Sequence, residues 1–62
     1  KGGRKSIVAN SDIKKGAVIT KEMLAYKRPG DGISPDKVKE LIGKIVQTDI
    51  KEDYQIKWED IK

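Results

Sequence analysis

The sequence predicts a small, mainly β domain in which short extended segments alternate with single helical turns. Three observations support this prediction. β-branched isoleucine and valine dominate the apolar residues, which favours strands over helices. Only residues 35–42 carry a full set of helix signals. A segment that begins at Asp12 recurs 37 residues further on, at Asp49, so the domain is expected to contain two copies of one unit.

Composition restricts the chemistry of this chain. Its 62 residues suffice for one small domain, and without cysteine or histidine it has no disulfide, no thiolate metal ligand and no imidazole base. Its hydroxyls and paired carboxylates show no catalytic spacing, so we expect no self-contained enzyme, no bound cofactor and no metal in the domain. No apolar run approaches the roughly 18–20 residues of a membrane span, so a cytoplasmic protein without a membrane partner is expected.

The charge pattern bears on nucleic-acid binding. Fourteen basic and ten acidic residues leave a net charge of +4, enough to raise the question of a nucleic-acid partner. The acidic residues are interleaved with the lysines, however, so no long basic stripe could follow a phosphate backbone. We therefore expect a mixed, solvated surface and no nucleic-acid partner.

The first half of the chain is predicted to be extended and turned. The glycine pair within residues 1–5 is typical of a linker end. Residues 6–10, SIVAN, predict a short strand, and two further extended pieces flank a turn at 15–16. Residues 20–24 begin with a threonine that could cap a single helical turn.

The clearest helix signals lie in the segment SPDKVKELIG. Ser34 is the expected N-cap, and Pro35 suits the first helical position. Gly43 provides a left-handed stop, so the helix should cover about residues 35–42. The apolar residues of its buried face would be Val38, Leu41 and Ile42.

The last third of the chain is predicted to add a strand and a final helical turn. Residues 44–50 favour a strand, and residues 58–61 a last turn. This turn carries the only tryptophan, Trp58, whose large ring is expected to pack in the core or at its edge, rather than to serve as a stacking platform for a ligand.

An internal repeat relates the two halves of the chain. The segments 12–24, DIKKGAVITKEML, and 49–61, DIKEDYQIKWEDI, are identical at five of thirteen positions. Two such units are too few for a solenoid, but they can pack about a pseudo-twofold axis and enclose one small core. Chance similarity between two segments rich in isoleucine and lysine is the alternative.

One arginine lies in the KRPGDGI loop, residues 27–33, although most of the fourteen basic residues are lysines. Pro29 biases Arg28 towards an extended backbone. Gly30 and Gly32 keep the loop slim and permit unusual backbone angles or close approach to a partner. A planar guanidinium matches pairs of oxygen atoms in a way that an ammonium cannot. The residues alone leave two interpretations open: Arg28 is displayed to a partner, or it caps a helix or pairs with the neighbouring aspartate.

Taken in order, these motifs resemble a known family. GRKSIVANSDIKKGAVIT, then ML, KRPGDGI, P-x-x-V-x-x-L-I-G-K and a closing D-I-K resemble the C-terminal SAF, or antifreeze-like, domain of sialic acid synthases, the N-acetylneuraminate synthase family. The resemblance runs from Arg4 to Ile61, and the domain itself is assigned to residues 6–62. SIVAN is also similar to the SVVAN of fish type III antifreeze proteins, which share this fold.

The resemblance implies a β-clip fold, a compact pretzel of short strands around an internal pseudo-twofold. In the family, a preceding barrel domain uses a divalent metal, Mn²⁺ or Mg²⁺, to condense phosphoenolpyruvate with N-acetylmannosamine or a related sugar. The SAF domain crosses to the other subunit of a homodimer, where the arginine of its RPG motif contacts the N-acetyl group of the sugar. The matching residue is Arg28, with Pro29, Gly30 and Gly32 shaping its loop. The parent would then be an enzyme, whereas the isolated domain would be inactive and monomeric.

Two other functions share the fold. A stand-alone SAF module could bind carbohydrate or, weakly, nucleic acid. An antifreeze protein is least expected, because the ice-binding face of the fish proteins is flat and largely uncharged, whereas the matching segment here carries Lys21 and Glu22.

Overall fold

Regular secondary structure is short throughout the computed structural model, which describes residues 4–62. The predicted linker end, residues 1–5, therefore lies partly outside the described residues. The regular elements are, in chain order, strand β1 (Ser6–Ala9), a 3₁₀ turn (Lys21–Met23), strand β2 (Leu24–Lys27), a 3₁₀ turn (Pro35–Lys37), helix α1 (Val38–Leu41) and a last 3₁₀ turn (Trp58–Asp60). The prediction of a mainly β domain with short helical turns is confirmed. Within residues 4–62, no helix is long and apolar enough to cross a membrane.

Strands β1 and β2 form an antiparallel pair that the sequence predicts only in part. The SIVAN strand is confirmed as β1, whereas no strand is predicted for β2, whose first residue falls in the predicted turn and whose last falls in the predicted loop. Ser6 lies opposite Lys27, and Ala9 lies opposite Leu24. β1 is buried along its whole length, and β2 is half-buried at its start and exposed at its end. The residues of β2, LAYK, do not alternate between apolar and polar, so they lack the sequence pattern that marks a strand.

Apart from the β1–β2 pair, the extended segments of residues 4–62 pair through isolated bridges. These bridges join Val8 with Gln55, Ile13 with Ile50, Val18 with Ile45, and Val46 with Ile61. The predicted strand over residues 44–50 is therefore not continuous, because each short segment changes its partner after one or two residues.

The predicted helix is present but divided. Residues 35–37 form a 3₁₀ turn that continues into the single turn of α1. Gly43 follows with a φ of 90°, the left-handed conformation expected of a helix stop. Leu41 is fully buried, but Ile42 is 41% exposed, so its assignment to the buried face is wrong. The backbone is already extended at Ile42, with φ −63° and ψ 130°, so this residue no longer continues the helical face.

The expected capping side chains do not form caps. Thr20 and Ser34 occupy the N-cap positions of their turns with extended backbones, yet neither side chain makes a capping hydrogen bond. The neighbouring Ser34 hydroxyl is instead the largest cause that lowers the pKa of the exposed Asp36 carboxyl below its usual value. The predicted N-cap positions are thus correct, but the predicted capping hydrogen bonds are absent.

The hydrogen bonds confirm the internal repeat. Ile13 and Ile50, which are equivalent in the two copies, exchange both backbone bonds at 2.7 and 2.8 Å. Beside this bridge, Asp49 accepts a bond from the Lys15 N–H at 2.8 Å. Its equivalent, Asp12, accepts the matching bond from the second copy at 2.9 Å. Chance similarity would not produce such reciprocal bonds, so the two copies are related by a pseudo-twofold axis.

The turn within each copy follows the same symmetry. Gly16 has a φ of 94°, and its equivalent Asp53 has a φ of 72°. The Gly16 N–H donates to the carbonyl of Val46, and the Asp53 N–H donates to the carbonyl of Ala9, each at 2.8 Å. A left-handed backbone is natural for glycine and is tolerated by aspartate, so both copies make the turn with different residues.

The core lies between the two copies. The equivalent residues Ile19 and Ile56 are both fully buried. The other members of the buried cluster are Ile7, Ala9, Ile13, Ile33, Leu41, Val46, Ile50 and Ile61. Since the cluster draws on both copies, neither copy has a core of its own.

Trp58 is 49% exposed, so it does not pack inside the core, and of the expected core or edge packing only partial burial is found. The repeat supplies the reason. Trp58 is equivalent to Lys21, and both residues open 3₁₀ turns that contain no buried residue. The fold places this position at the surface whatever residue occupies it.

Candidate functional site

Arg28 is exposed at the start of the loop that follows β2. The preceding residue, Lys27, is the last of β2 and lies opposite Ser6 of β1. The following residue, Pro29, is joined to Arg28 by a cis peptide bond. Arg28 thus lies where the chain leaves the two-stranded sheet.

A single buried hydroxyl holds both sides of the loop. Ser6 Oγ donates to the carbonyl of Pro29 at 2.6 Å and accepts from the N–H of Gly32 at 2.8 Å. Beside it, the Ile7 N–H donates to the carbonyl of Ile33 at 2.9 Å. The loop backbone is therefore anchored to β1 directly after Arg28 and again at its far end.

Gly30 and Gly32 are needed for space rather than for unusual backbone angles. Neither glycine has a positive φ, which corrects one part of the expectation. A Cβ atom at Gly30 would lie 2.5 Å from the Cβ of Arg4, and one at Gly32 would lie 2.5 Å from Oε1 of Gln55. These glycines therefore allow the loop to pack closely against other parts of the same chain, at Arg4 and at Gln55.

The charged neighbours of Arg28 are engaged within the chain. Lys27 forms an ion pair with Asp53, and this hydrogen bond is the largest cause raising the pKa of the Lys27 ammonium. Asp31 accepts a bond from Nε2 of Gln55 at 2.8 Å. Neither of the two ion pairs found among residues 4–62 includes Arg28. Arg28 is therefore exposed and not paired with Asp31.

Two open clefts border the exposed tryptophan. One, of about 380 Å³, lies between residues 31–33 of the loop and residues 56–59. The other, of about 560 Å³, is lined by Trp58 and Ile42 together with charged residues of which three are lysines. Arg28 lines neither cleft. In the part of the chain that the structure describes, no three His, Cys, Asp or Glu side chains form a group that could hold a metal ion.

Two residues of this arrangement, Ser6 and Gln55, are absent from the sequence-based prediction. Ser6 precedes an apolar strand and carries no turn or cap signal, and its two bonds reach residues 23 and 26 positions away. Gln55 faces Val8 across an isolated bridge. Only the fold brings both side chains to the loop.

The fold and the loop together define a class of protein, a duplicated mainly β domain with an exposed arginine in the loop beside its sheet. The family model for the SAF domain matches residues 4–62. The chain belongs to the SAF domain family.

Similar proteins are found among sugar-acid synthases. The chain is 46% identical over 54 residues to the N,N′-diacetyllegionaminic acid synthase of Campylobacter jejuni, covering 87% of the chain and 16% of that protein. It is 36% identical over 59 residues to the synthase of the same name from Legionella pneumophila, covering 95% of the chain and 17% of that protein. The chain thus spans about a sixth of the length of these relatives.

A solved structure supports the fold assignment. The antifreeze protein-like domain of human N-acetylneuraminic acid phosphate synthase, determined in solution, superposes with a TM-score of 0.93 at 32% identity. The match covers all of this chain and 80% of that chain. The predicted antifreeze-like fold is therefore confirmed.

Proposed function

We propose that this chain is the capping domain of a synthase that condenses phosphoenolpyruvate with N-acetylmannosamine or a related N-acetylated sugar. In this proposal the domain covers the active site of the partner subunit in a homodimer, and Arg28 contacts the sugar there. The observation that carries the proposal is the exposure of Arg28 on an anchored loop whose other charged side chains, Lys27 and Asp31, bond other side chains of the chain.

The names of the similar proteins indicate what Arg28 would recognise. The products N,N′-diacetyllegionaminic acid and N-acetylneuraminic acid phosphate both carry N-acetyl groups. The carbonyl oxygen of an acetamide is a hydrogen-bond acceptor, and a guanidinium offers several N–H donors in a fixed plane. A fixed arginine would therefore orient the acceptor sugar for attack and exclude water from the site.

The remaining chemistry is assigned to the barrel domain of the parent. That domain would hold phosphoenolpyruvate and a divalent metal, Mn²⁺ or Mg²⁺, which would stabilise negative charge during condensation. This chain would supply no catalytic group of its own. The isolated domain would accordingly be inactive, and we expect it to be monomeric, because its main partner surface would be the barrel.

Replacing Arg28 by alanine in the full-length parent tests the proposal. We expect kcat/KM for the N-acetylated sugar to fall by roughly tenfold to a hundredfold, because positioning of the acceptor is lost. The KM for phosphoenolpyruvate should stay unchanged. Arg28→Lys should restore little, because an ammonium lacks the planar fork. The exposed Lys14→Ala is the matched control and should leave all constants unchanged.

Thermal melting of the isolated chain separates function from folding. Because Arg28 is exposed and lies outside both ion pairs of the described residues, Arg28→Ala should leave its stability within about 0.5 kcal/mol. Normal turnover by the parent carrying Arg28→Ala would overturn the proposal. Unfolding of the isolated variant would instead make Arg28 a structural residue.

Mixed dimers test whether Arg28 acts in trans. One subunit carries Arg28→Ala and an intact barrel, and the other carries Arg28 and an inactivated barrel. If the domain covers the partner's site, the intact barrel receives Arg28 and activity returns. If the domain covers its own site, every active barrel lacks Arg28 and activity stays low.

A stand-alone binding module is the second candidate, and the exposed ring of Trp58 between two clefts favours it. An indole face can stack on a sugar ring or a nucleobase. Amide shifts at Trp58 on adding N-acetylmannosamine would support this function, and the absence of a gel shift at low salt would exclude nucleic acid. An antifreeze function is tested by thermal hysteresis. Because Lys21 and Glu22 are exposed, we expect a value equal to that of a buffer control, which would exclude this function.

A further inference from the structure

We propose that Ser6 is a positioning residue for Arg28, and that Gln55 braces the same loop from its other side. This inference rests on the proposed function, since it assigns the residues that hold the arginine in place for the sugar. Neither residue would touch the substrate. Ser6 would act through backbone atoms of the loop, and Gln55 through the carboxylate of Asp31.

The position of Arg28 is set by Ser6 from both directions. The residue before Arg28 lies opposite Ser6 in the antiparallel register of β1 and β2. The residue after it, Pro29, offers its carbonyl to the Ser6 hydroxyl at 2.6 Å. One residue of β1 therefore holds the chain on each side of the arginine.

The hydroxyl of Ser6 is used for the loop alone. Ser6 is fully buried, and it is the one polar residue among the buried residues of the described chain. A buried hydroxyl is costly unless it is hydrogen-bonded, and both of its bonds go to loop backbone atoms, on Pro29 and Gly32. The hydroxyl is therefore explained by the loop that it holds.

Gln55 closes the opposite side of the loop. Its Nε2 donates to Asp31 at 2.8 Å. Its Oε1 lies so close to Gly32 that a Cβ atom added there would be only 2.5 Å from it. Gln55 is itself half-buried and faces Val8 of β1 across an isolated bridge. The loop thus contacts β1 on one side and the second copy of the repeat on the other. Its fixed conformation depends on the hydrogen bonds from both.

Hydrogen exchange of this chain tests the anchoring without reference to catalysis. With Ser6→Ala, the Gly32 amide loses its acceptor, and its exchange should accelerate at least about tenfold. The Ile13 amide, which bonds Ile50 in the core bridge, should keep its rate and so report that global stability is retained. Unchanged protection of Gly32 would overturn the inference.

A second variant covers the case in which Ser6→Ala does not fold. Gln55→Ala removes the brace at a half-buried site and should likewise loosen the loop. The control is Gln47→Ala, which likewise removes a hydrogen-bonding side-chain amide, but one that donates to the backbone carbonyls of Glu59 and Ile61, away from the loop. Equal loosening of the loop in the control would overturn the assignment of Gln55.

Kinetics of the full-length parent then test positioning. Ser6→Ala should raise the KM for the N-acetylated sugar by roughly threefold to tenfold while leaving the KM for phosphoenolpyruvate unchanged. The effect should vanish in the Arg28→Ala background, because Ser6 acts only through Arg28. Ser6→Thr, which keeps the hydroxyl, should recover part of the loss.

The outcomes separate this inference from the function on which it rests. If Arg28→Ala is without effect on turnover, the proposed function fails. If Arg28→Ala lowers turnover but Ser6→Ala does not, or acts equally when Arg28 is absent, the positioning role of Ser6 fails and the proposed function stands.

Discussion

Gly16 and Asp53 are different residues that adopt the same left-handed backbone conformation. Both have positive φ, and both belong to the equivalent turns of the repeat. Glycine adopts this conformation without steric penalty, whereas most other residues are strained there. Asp53 also pairs with Lys27 beside Arg28, so the second turn has gained a contact to the loop that a glycine would not provide.

Gly16→Ala measures the backbone cost of this turn alone, because a Cβ atom at Gly16 would have no neighbour within 4 Å. We expect a loss of about 1–2 kcal/mol from the left-handed conformation. For so small a domain this corresponds to a fall in Tm of roughly 8–15 °C. Lys14→Ala, at an exposed position two residues earlier, should leave the Tm nearly unchanged. An unchanged Tm in Gly16→Ala would contradict the assigned φ.

At the scale of the elements, the two copies are joined by bonds rather than by long strands. Ile13 and Ile50 form the central bridge, and Asp12 and Asp49 each accept a backbone N–H from the other copy. The segments that contain them are too short to be stable as separate hairpins. The carboxylates therefore act as end caps for the bridge, and the sequence signals their importance only through their recurrence.

Asp12→Ala and Asp49→Ala should each lower the free energy of unfolding by about 0.5–1 kcal/mol, because one backbone N–H loses its acceptor. The two losses should be similar, as the pseudo-twofold requires, and urea denaturation can measure both. Asp12→Asn keeps the acceptor oxygen and serves as the control. If asparagine destabilises as much as alanine, the bond is not the cause.

At the scale of the whole molecule, stability depends on one core shared by both copies. A domain of this size buries a modest share of its surface and has no disulfide to stabilise it. The equivalent residues Ile19 and Ile56 lie in that core, and Ile33 extends it beneath the loop that carries Arg28. Core and loop are thus built on the same β1 strand, whose side chains pack below and whose first residue binds the loop.

Ile19→Val and Ile56→Val test the equivalence of the two copies in the core. Each should cost about 0.5–1.5 kcal/mol, from the loss of one buried methylene and the small cavity left behind. Ile42→Val is the matched control, since Ile42 is exposed, and it should change the melting temperature little. Strongly unequal losses at the two core sites would argue against a common core built symmetrically from both copies.

Several features follow from the sequence alone. The recurrence of Asp-Ile-Lys predicts the pseudo-twofold, the pattern around Pro35 and Gly43 predicts one short helix, and the KRPGDGI motif singles out Arg28. These signals are legible because each depends on residues that are close in sequence or that repeat at a constant spacing.

Only the tertiary structure decides how the loop is held and which positions are buried. The bonds that anchor the loop through Ser6 and Gln55 join residues 23 to 26 positions apart, so no local pattern announces them. β2 likewise exists because β1 lies beside it, and Trp58 is exposed because its turn stays outside the shared core. Burial and pairing depend on which segments of the folded chain meet. Here they fix the backbone of the loop that carries Arg28, which the sequence motif alone does not do.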